Sequence, residues 1–274
     1  MTALTLRAPA GRLPILSELI ERQRPLALFG LALVLLAPVV LALQAVDPRT
    51  LHGVGVWVKP AKFFLSAGVF ALTAAWFWGY VRPERRKGRA LLWTARALIA
   101  SASFELFYIS LQAARGLDSH FNFSSGFHIA MYALMGVAAV ILTATTLPLA
   151  WEIARRPSRG LSPDFVAAVS LGLLLTFLLG AGLGGYMSQM TGHSVGGEGG
   201  RLFFFGWNRS GGDLRIAHFL GIHSEQAIPL LAASVAGLGL RARWTVLAAG
   251  TAAYVAVTLA VFAQAVAGRP LLPL

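Results

Sequence analysis

Thr94, Ser101, Glu105, Tyr108, Gln112 and Arg115 recur at spacings of 7, 4, 3, 4 and 3 within one apolar run of the 274-residue chain. On a helix turning about 100° per residue they fall within an arc of about 80°, and at about 1.5 Å per residue they extend over about 31 Å, close to the hydrocarbon thickness of a bilayer. A carboxylate at that depth costs several kcal/mol unless it meets a partner or water, so Glu105 and its stripe must face a polar interior. A second set lies further along, where Arg215, His218 and Glu225 share one face of a straight helix. His218 and Glu225 are then about 20° and about 10 Å apart, and Glu225 comes to a depth similar to that of Glu105. His223 points about 140° away from His218, so the two do not clamp one ion unless the helix is distorted, for example before Pro229. His128 adds an imidazole, Lys59 and Lys62 begin a further aligned stripe with Ser66, Thr73 and Tyr80, and Asp118, Ser119 and His120 fall together in a connection.

These residues need helices to hold them in a membrane. Hydrophobic residues make up 57% of the chain and charged residues 12%, against about a quarter charged in soluble domains. Seven apolar segments of spanning length are legible, at 27–46, 60–81, 90–114, 126–150, 164–188, 214–239 and 243–268. The expected fold is an all-α bundle of seven transmembrane helices over 27–268. A tail at 1–26 carries LPILSELIERQR, an amphipathic stretch suited to the membrane surface, and 189–213 is a long glycine-rich outer loop suited to act as a lid.

Arg7, Arg12, Arg22 and Arg24, the cluster at 82–89, Arg155, Arg156 and Arg159, and Arg241 and Arg243 all fall on one side of such a bundle. The positive-inside rule then puts the N-terminus in the cytoplasm and the C-terminus outside. The net charge of +12 reads as topology and contact with anionic headgroups, not as a nucleic-acid surface. With no cysteine, disulfides, thiolate catalysis and cysteine-ligated metal are excluded. Pro60, Ser162-Pro163-Asp164 and Asp213 mark helix starts, Pro38 a kink, and Gly180 with Gly184 a place where another backbone comes close.

Four readings are open for the polar constellation. In the first, a cavity open to the outer side holds a haem or a divalent transition metal on His128, His218 and His223 and supports redox chemistry, with Glu105, His218 and Glu225 as the reacting groups. In the second, Glu105 and Glu225 are the midplane carboxylates of a proton-linked transporter. The third is a structural ion network that fixes helix register. The fourth is an enzyme acting on an outer-leaflet lipid. Lys62, Tyr108, Gln112, Arg115, Asp118, His120, Asp213 and Arg215 are the expected ligand-binding residues, for a small molecule or lipid. The glycine-rich HSVGGEGG lacks the strand–turn–helix setting of a nucleotide loop, and the last segment has no lysine for a retinal Schiff base.

The strings VWVKPAKFFLS, FELFYISLQAARGLDSHFNFSSGFH and GWNRSGGDLRIAHFLGIHSEQAIPL resemble a group of uncharacterised multi-pass membrane proteins of bacteria. The resemblance covers about 57–230 and implies a bacterial cytoplasmic membrane, with no mechanism attached.

Overall fold

The computed structural model describes residues 14–197, 199–202 and 205–273. Arg7 and Arg12 of the charge asymmetry, and Glu198, Phe203 and Phe204 of the long loop, lie outside these. The chain divides into two units, Met1–Asp118 and Ser119–Leu274.

In the first unit α1 (Pro14–Arg22) leads into α2 (Arg24–Ala42), a 3-10 turn (Leu43–Ala45) and a hairpin of β1 (Thr50–Leu51) and β2 (Val54–Gly55). Helices α3 (Val58–Trp78) and α4 (Arg89–Arg115) complete it. Pro60 stands in the first turn of α3 and Pro38 inside α2, as their spacing from the segment ends requires. Helices α2 and α3 touch through glycine: a Cβ on Gly30 would lie 2.9 Å from the Gly68 carbonyl, and one on Gly68 3.0 Å from that of Gly30. The last carbonyls of α3 are taken by guanidinium groups, Trp76 by Arg22 at 2.6 Å and Gly79 by Arg86 at 2.7 Å. Cations at a helix C-terminus both satisfy orphan acceptors and oppose the dipole. Gly116 closes α4 in the left-handed region at φ 68°, with Leu117 N–H on the Gln112 carbonyl and Gly116 N–H on that of Ala113.

The second unit holds α5 (Gly126–Ala144), α6 (Thr146–Arg155), α7 (Pro163–Ser188), α8 (Leu214–Ile222), α9 (Ser224–Ser234) and α10 (Leu240–Val266). A short antiparallel pair, β3 (Ser194–Val195) with β4 (Gly212–Asp213), sits in the loop before α8. The expected segment 126–150 changes axis at Thr145, because Pro148 has no N–H and crowds the carbonyl four residues earlier. The hydroxyls of Thr145 and Thr146 take the carbonyls of Leu142 and Thr143 there.

Among the described residues six helical stretches are long and apolar enough to cross a membrane. Leu35, Val39, Leu134, Val137 and Val257 on them stay exposed, the surface that lipid covers. The chain is thus a helical multi-pass membrane protein. The segment expected at 214–239 is different: it is two shorter helices, α8 and α9, meeting at His223. The shared face of His218 and Glu225 assumed one straight axis, and that axis ends between them.

The second unit is held from α7. Ala168 packs with Ile228, Ala232 and Leu247, and further along the helix Leu183 packs with Ile216, Ala217 and Val261. At its start Ser162 is the capping residue and Pro163 the first helical one. The Ser162 hydroxyl does not cap but accepts from Arg243 Nη2 at 2.7 Å, and the same nitrogen lies 2.6 Å from Asp164 Oδ2. Asp164 is 1% exposed, so this ion pair ties the starts of α7 and α10. Asp164→Asn leaves Arg243 without its counter-charge and is expected to lower stability by about 3 kcal/mol, measurable by reversible unfolding in mixed micelles.

Candidate functional site

A helix that stops inside an apolar bundle leaves carbonyls and N–H groups without partners, each of which must be satisfied locally. At His223 side chains meet that requirement. The Leu220 carbonyl accepts from the Tyr254 hydroxyl of α10. The Gly221 carbonyl accepts from Ser224 Oγ at 2.8 Å, and the Ile222 carbonyl from Thr176 Oγ1 at 3.3 Å. On the other side of the break Glu225 N–H donates to the same Thr176 oxygen at 2.9 Å, and the N–H groups of Gln226 and Ala227 donate to the His223 carbonyl. One buried hydroxyl therefore serves both helix ends.

Thr176 reaches the break because α7 presents small residues at every fourth position. A Cβ on Gly172 would meet the Ser224 carbonyl at 2.9 Å and the Glu225 Cα at 3.2 Å; one on Gly180 would meet Ile222, and one on Gly184 the His218 ring. Gly172, Thr176, Gly180 and Gly184 form a single stripe, and side chains of ordinary size there would push α8 and α9 away. The expectation of close approach at Gly180 and Gly184 holds.

Glu225 opens α9 and is fully buried. Its Oε1 accepts from Gln226 Nε2 at 2.8 Å, while Oε2 has no hydrogen-bond partner among the described residues. Pro229, four residues on, has no N–H to give to the Glu225 carbonyl. His223 Nδ1 is 3.1 Å from Gln226 Oε1 and its ring packs 4.2 Å from that of Phe219. His218 Nδ1 lies 3.1 Å from the Gly180 carbonyl; a carbonyl only accepts, so Nδ1 carries the hydrogen.

Toward the start of α8 the loop covers this region with aromatic rings, Phe205 stacked on Trp207 at 4.5 Å and Trp207 edge-on to Phe219 at 5.8 Å. Asp213 caps α8 through Arg215 N–H, as its position predicts, and forks with the Arg215 guanidinium at 2.9 and 2.6 Å. Arg215 also donates to the Gly206 carbonyl, and Asp213 accepts from Asn208 N–H at 2.8 Å. Burial opposes the charge of Asp213, but the Arg215 hydrogen bonds outweigh it and hold the carboxyl below the usual range. The space enclosed here, between His193, Arg201, Asn208 and Arg215, is about 10 Å³, room for one water.

In the first unit the α4 stripe forms as its spacing requires. Thr94, Ser101, Glu105, Tyr108 and Gln112 are all buried. Gln112 is fully buried and donates to the Tyr108 hydroxyl at 3.1 Å and the Asp118 carbonyl at 3.3 Å, and Arg115 donates to Gln112 Oε1 at 3.4 Å. Glu105 Oε1 is buried without a hydrogen-bond partner among the described residues, with Lys59 supplying a positive field. Lys62 is half-buried on α3. The Asp118 carboxylate meets His52, at the hairpin tip in the left-handed region, at 2.9 Å. Asp47, Arg49, Gln44 and Trp57 lock that hairpin: Asp47 accepts from Arg49 at 2.8 and 2.7 Å and from Trp57 Nε1 at 2.8 Å. Arg49 holds the Asp47 carboxyl well below the usual carboxylate range. Gln44, Asp47, Arg49 and His52 do not stand out in the sequence, since their partners are set by loop geometry.

The expected metal set does not assemble. His128 Nδ1 turns to the Ser124 and Ser125 hydroxyls at 3.1 and 2.9 Å, His218 to Gly180 and His223 to Gln226. His120 bonds Ser119 and lies edge-on to Tyr132. Among the described residues no three His, Asp or Glu side chains converge to hold a metal ion. His120, His128 and His223 instead bond groups in turns or at helix ends, and His218 a carbonyl within α7.

Comparison of the chain with protein-family models, curated proteins and solved structures finds no match. The geometry therefore carries the functional reading alone.

Thr176→Val should cost about 3 kcal/mol, because it orphans an N–H and a carbonyl together, while Thr176→Ser should retain most of the stability; unfolding midpoints in micelles separate the two. A carboxyl held below its unfolded value contributes stability above the ordinary range and loses it as acid titrates the folded state. Hydrogen-exchange protection of the Asn208 and Arg215 amides, corrected for intrinsic rate, should therefore persist from pH 7 to about 4, near the ordinary aspartate value, and fall only below it. In Asp213→Asn that protection should already be reduced at pH 7.

Proposed function

We propose that this protein is a proton-linked transporter of the bacterial cytoplasmic membrane, and that Glu225 is the group that takes up and releases the proton. The observation that carries the reading is a fully buried carboxylate, one oxygen of which has no hydrogen-bond partner among the described residues, placed at the break of a discontinuous helix. Discontinuous helices near the midplane are where secondary transporters hold substrates and coupling ions, because freed backbone groups and helix ends supply polarity that a continuous helix lacks. A carboxyl enclosed there by apolar helices changes charge only by exchanging a proton when its surroundings open to water.

Counting α8 and α9 as one broken span gives seven crossings, with the N-terminus in the cytoplasm and the C-terminus outside by the distribution of arginine and lysine. The resemblance of the strings around Lys59, Gln112 and His218 to bacterial membrane proteins supports the location. Glu105, buried on α4 with an oxygen that has no hydrogen-bond partner among the described residues, is a second protonatable site in the other unit. Redox chemistry at a haem or metal has less support, because the histidines expected to ligate it are turned to hydroxyl, amide and carbonyl partners.

Protein reconstituted into liposomes on a solid-supported membrane, challenged with amino acids, sugars, organic acids and inorganic cations under a pH gradient, tests the reading. At least one class should give a proton-linked current in wild type that is lost in Glu225→Gln at equal folded yield. Equal currents in the two, or none in wild type across the panel, would contradict it.

A further inference from the structure

We infer that the cavity between α1 and the end of α3 binds a phosphate ester carrying a primary ammonium group, the chemistry of a phosphoethanolamine headgroup. Glu18, Glu21, Arg22, Gly79 and Arg86 line it, and at about 220 Å³ it has room for a small polar molecule, not merely one water. Glu18, Glu21 and Arg22 reach it together because residues three and four apart share one face of a helix. The Arg22 guanidinium stacks 4.0 Å from the centre of the Trp76 ring and donates to the Trp76 carbonyl, which holds α1 against α3. Gly79 leaves the space in which that guanidinium lies, since a Cβ there would come within 2.7 Å of Arg22 Cζ.

Arg86 follows the short turn Pro83–Arg85. Its Nε and Nη2 donate to the carbonyls of Val81 and Gly79, and its own carbonyl accepts from Trp78 Nε1. Both guanidiniums are therefore fixed before a ligand arrives. Each also keeps hydrogens to give. Arg86 Nη1 has no acceptor among the described residues, and the bonds of Arg22 through Nη1 and Nη2 use one of the two hydrogens on each nitrogen. The carboxylates likewise keep acceptors: Glu18 meets Arg22 through Oε1 alone, and Glu21 is exposed with no hydrogen-bond partner among the described residues.

Charge decides the class of ligand. Two guanidiniums and two carboxylates line the cavity, so a lone anion would also meet the carboxylates and a lone cation the guanidiniums. A zwitterion satisfies both pairs. Burial first, and then the positive field of Arg22, disfavour the charge on Arg86; a phosphate received by both guanidiniums offsets that repulsion. A quaternary ammonium is held on aromatic faces, but the rings beside this cavity, Trp76 and Tyr80, already carry Arg22 at 4.0 and 5.0 Å. Carboxylates instead accept the N–H bonds that a primary ammonium has and a quaternary one lacks. A membrane lipid and a soluble phosphate ester share this chemistry.

The test is native mass spectrometry of the protein, delipidated in mild detergent and titrated in turn with short-chain phosphatidylethanolamine, phosphatidylcholine and phosphatidylglycerol and with soluble phosphoethanolamine. The ethanolamine lipid should bind about tenfold more tightly than the other two, the difference made by about one charge-assisted hydrogen bond. Glu21→Gln, at an exposed position, should remove most of that preference, and Arg86→Gln should weaken the ethanolamine and choline lipids alike. Should Arg86→Gln impair folding, Glu21→Gln decides alone. Soluble phosphoethanolamine binding as tightly as the lipid would support the site and name a soluble ligand; tighter binding of the lipid would support it and name a headgroup. Equal affinity for the three lipids, a preference for phosphatidylglycerol, or an ethanolamine preference unchanged in Glu21→Gln would overturn the assignment.

Discussion

The bond pair made by one hydroxyl, that of Thr176, is the constraint on which the second unit depends. It donates to the last carbonyl of α8 and accepts from the Glu225 N–H in the first turn of α9. In an apolar bundle neither group can turn to water, so a helix can stop there only if a side chain from another helix meets both ends. The glycines of α7 serve this end: they let Thr176 come within reach and leave no room for anything larger. Tyr254 and Ser224 then satisfy the neighbouring carbonyls, and the break becomes a defined element.

The chemistry of the site follows from that break. With the helix continuous, the first turn of α9 would be an ordinary stretch of backbone. Interrupted, it brings together a buried carboxylate, the amide beside it and an imidazole at the joint, linked by hydrogen bonds. Pro229 adds to the polarity by withholding an N–H from the Glu225 carbonyl. The Asp213–Arg215 fork holds the start of α8, and Phe205 and Trp207 stack beside it against Phe219.

Much of this was legible from residue spacing, because periodicity and capping are local. The apolar segments, the α4 stripe with its buried Glu105 and Gln112, the capping role of Asp213 and the close approach at Gly180 and Gly184 all follow from neighbours a few positions apart. The break at His223 does not. Its local sequence, LGIHSEQ, contains no proline, and the residue that stabilises it is 47 positions earlier. A polar residue at the centre of the small-residue stripe Gly172, Thr176, Gly180, Gly184, with Pro229 four places after Glu225, is the signal that could have found it. Residue type alone makes His128, His218 and His223 a metal set; the hydrogen-bond partner of each Nδ1 decides its role, a near neighbour for His128 and His223 and the distant Gly180 carbonyl for His218. The pairing of His52 with Asp118 was hidden likewise by a hairpin whose register no periodicity reveals.

The proposed function requires Glu225, sealed at the break, to give and take a proton. Infrared difference spectroscopy of the protein in lipid, between two pH values and in H₂O and D₂O, reads this directly through the carbonyl stretch of a protonated carboxyl. A deuterium-sensitive carboxylic-acid band should grow as carboxylate bands fall in wild type and be missing from Glu225→Gln. Identical difference spectra for the two proteins would contradict it.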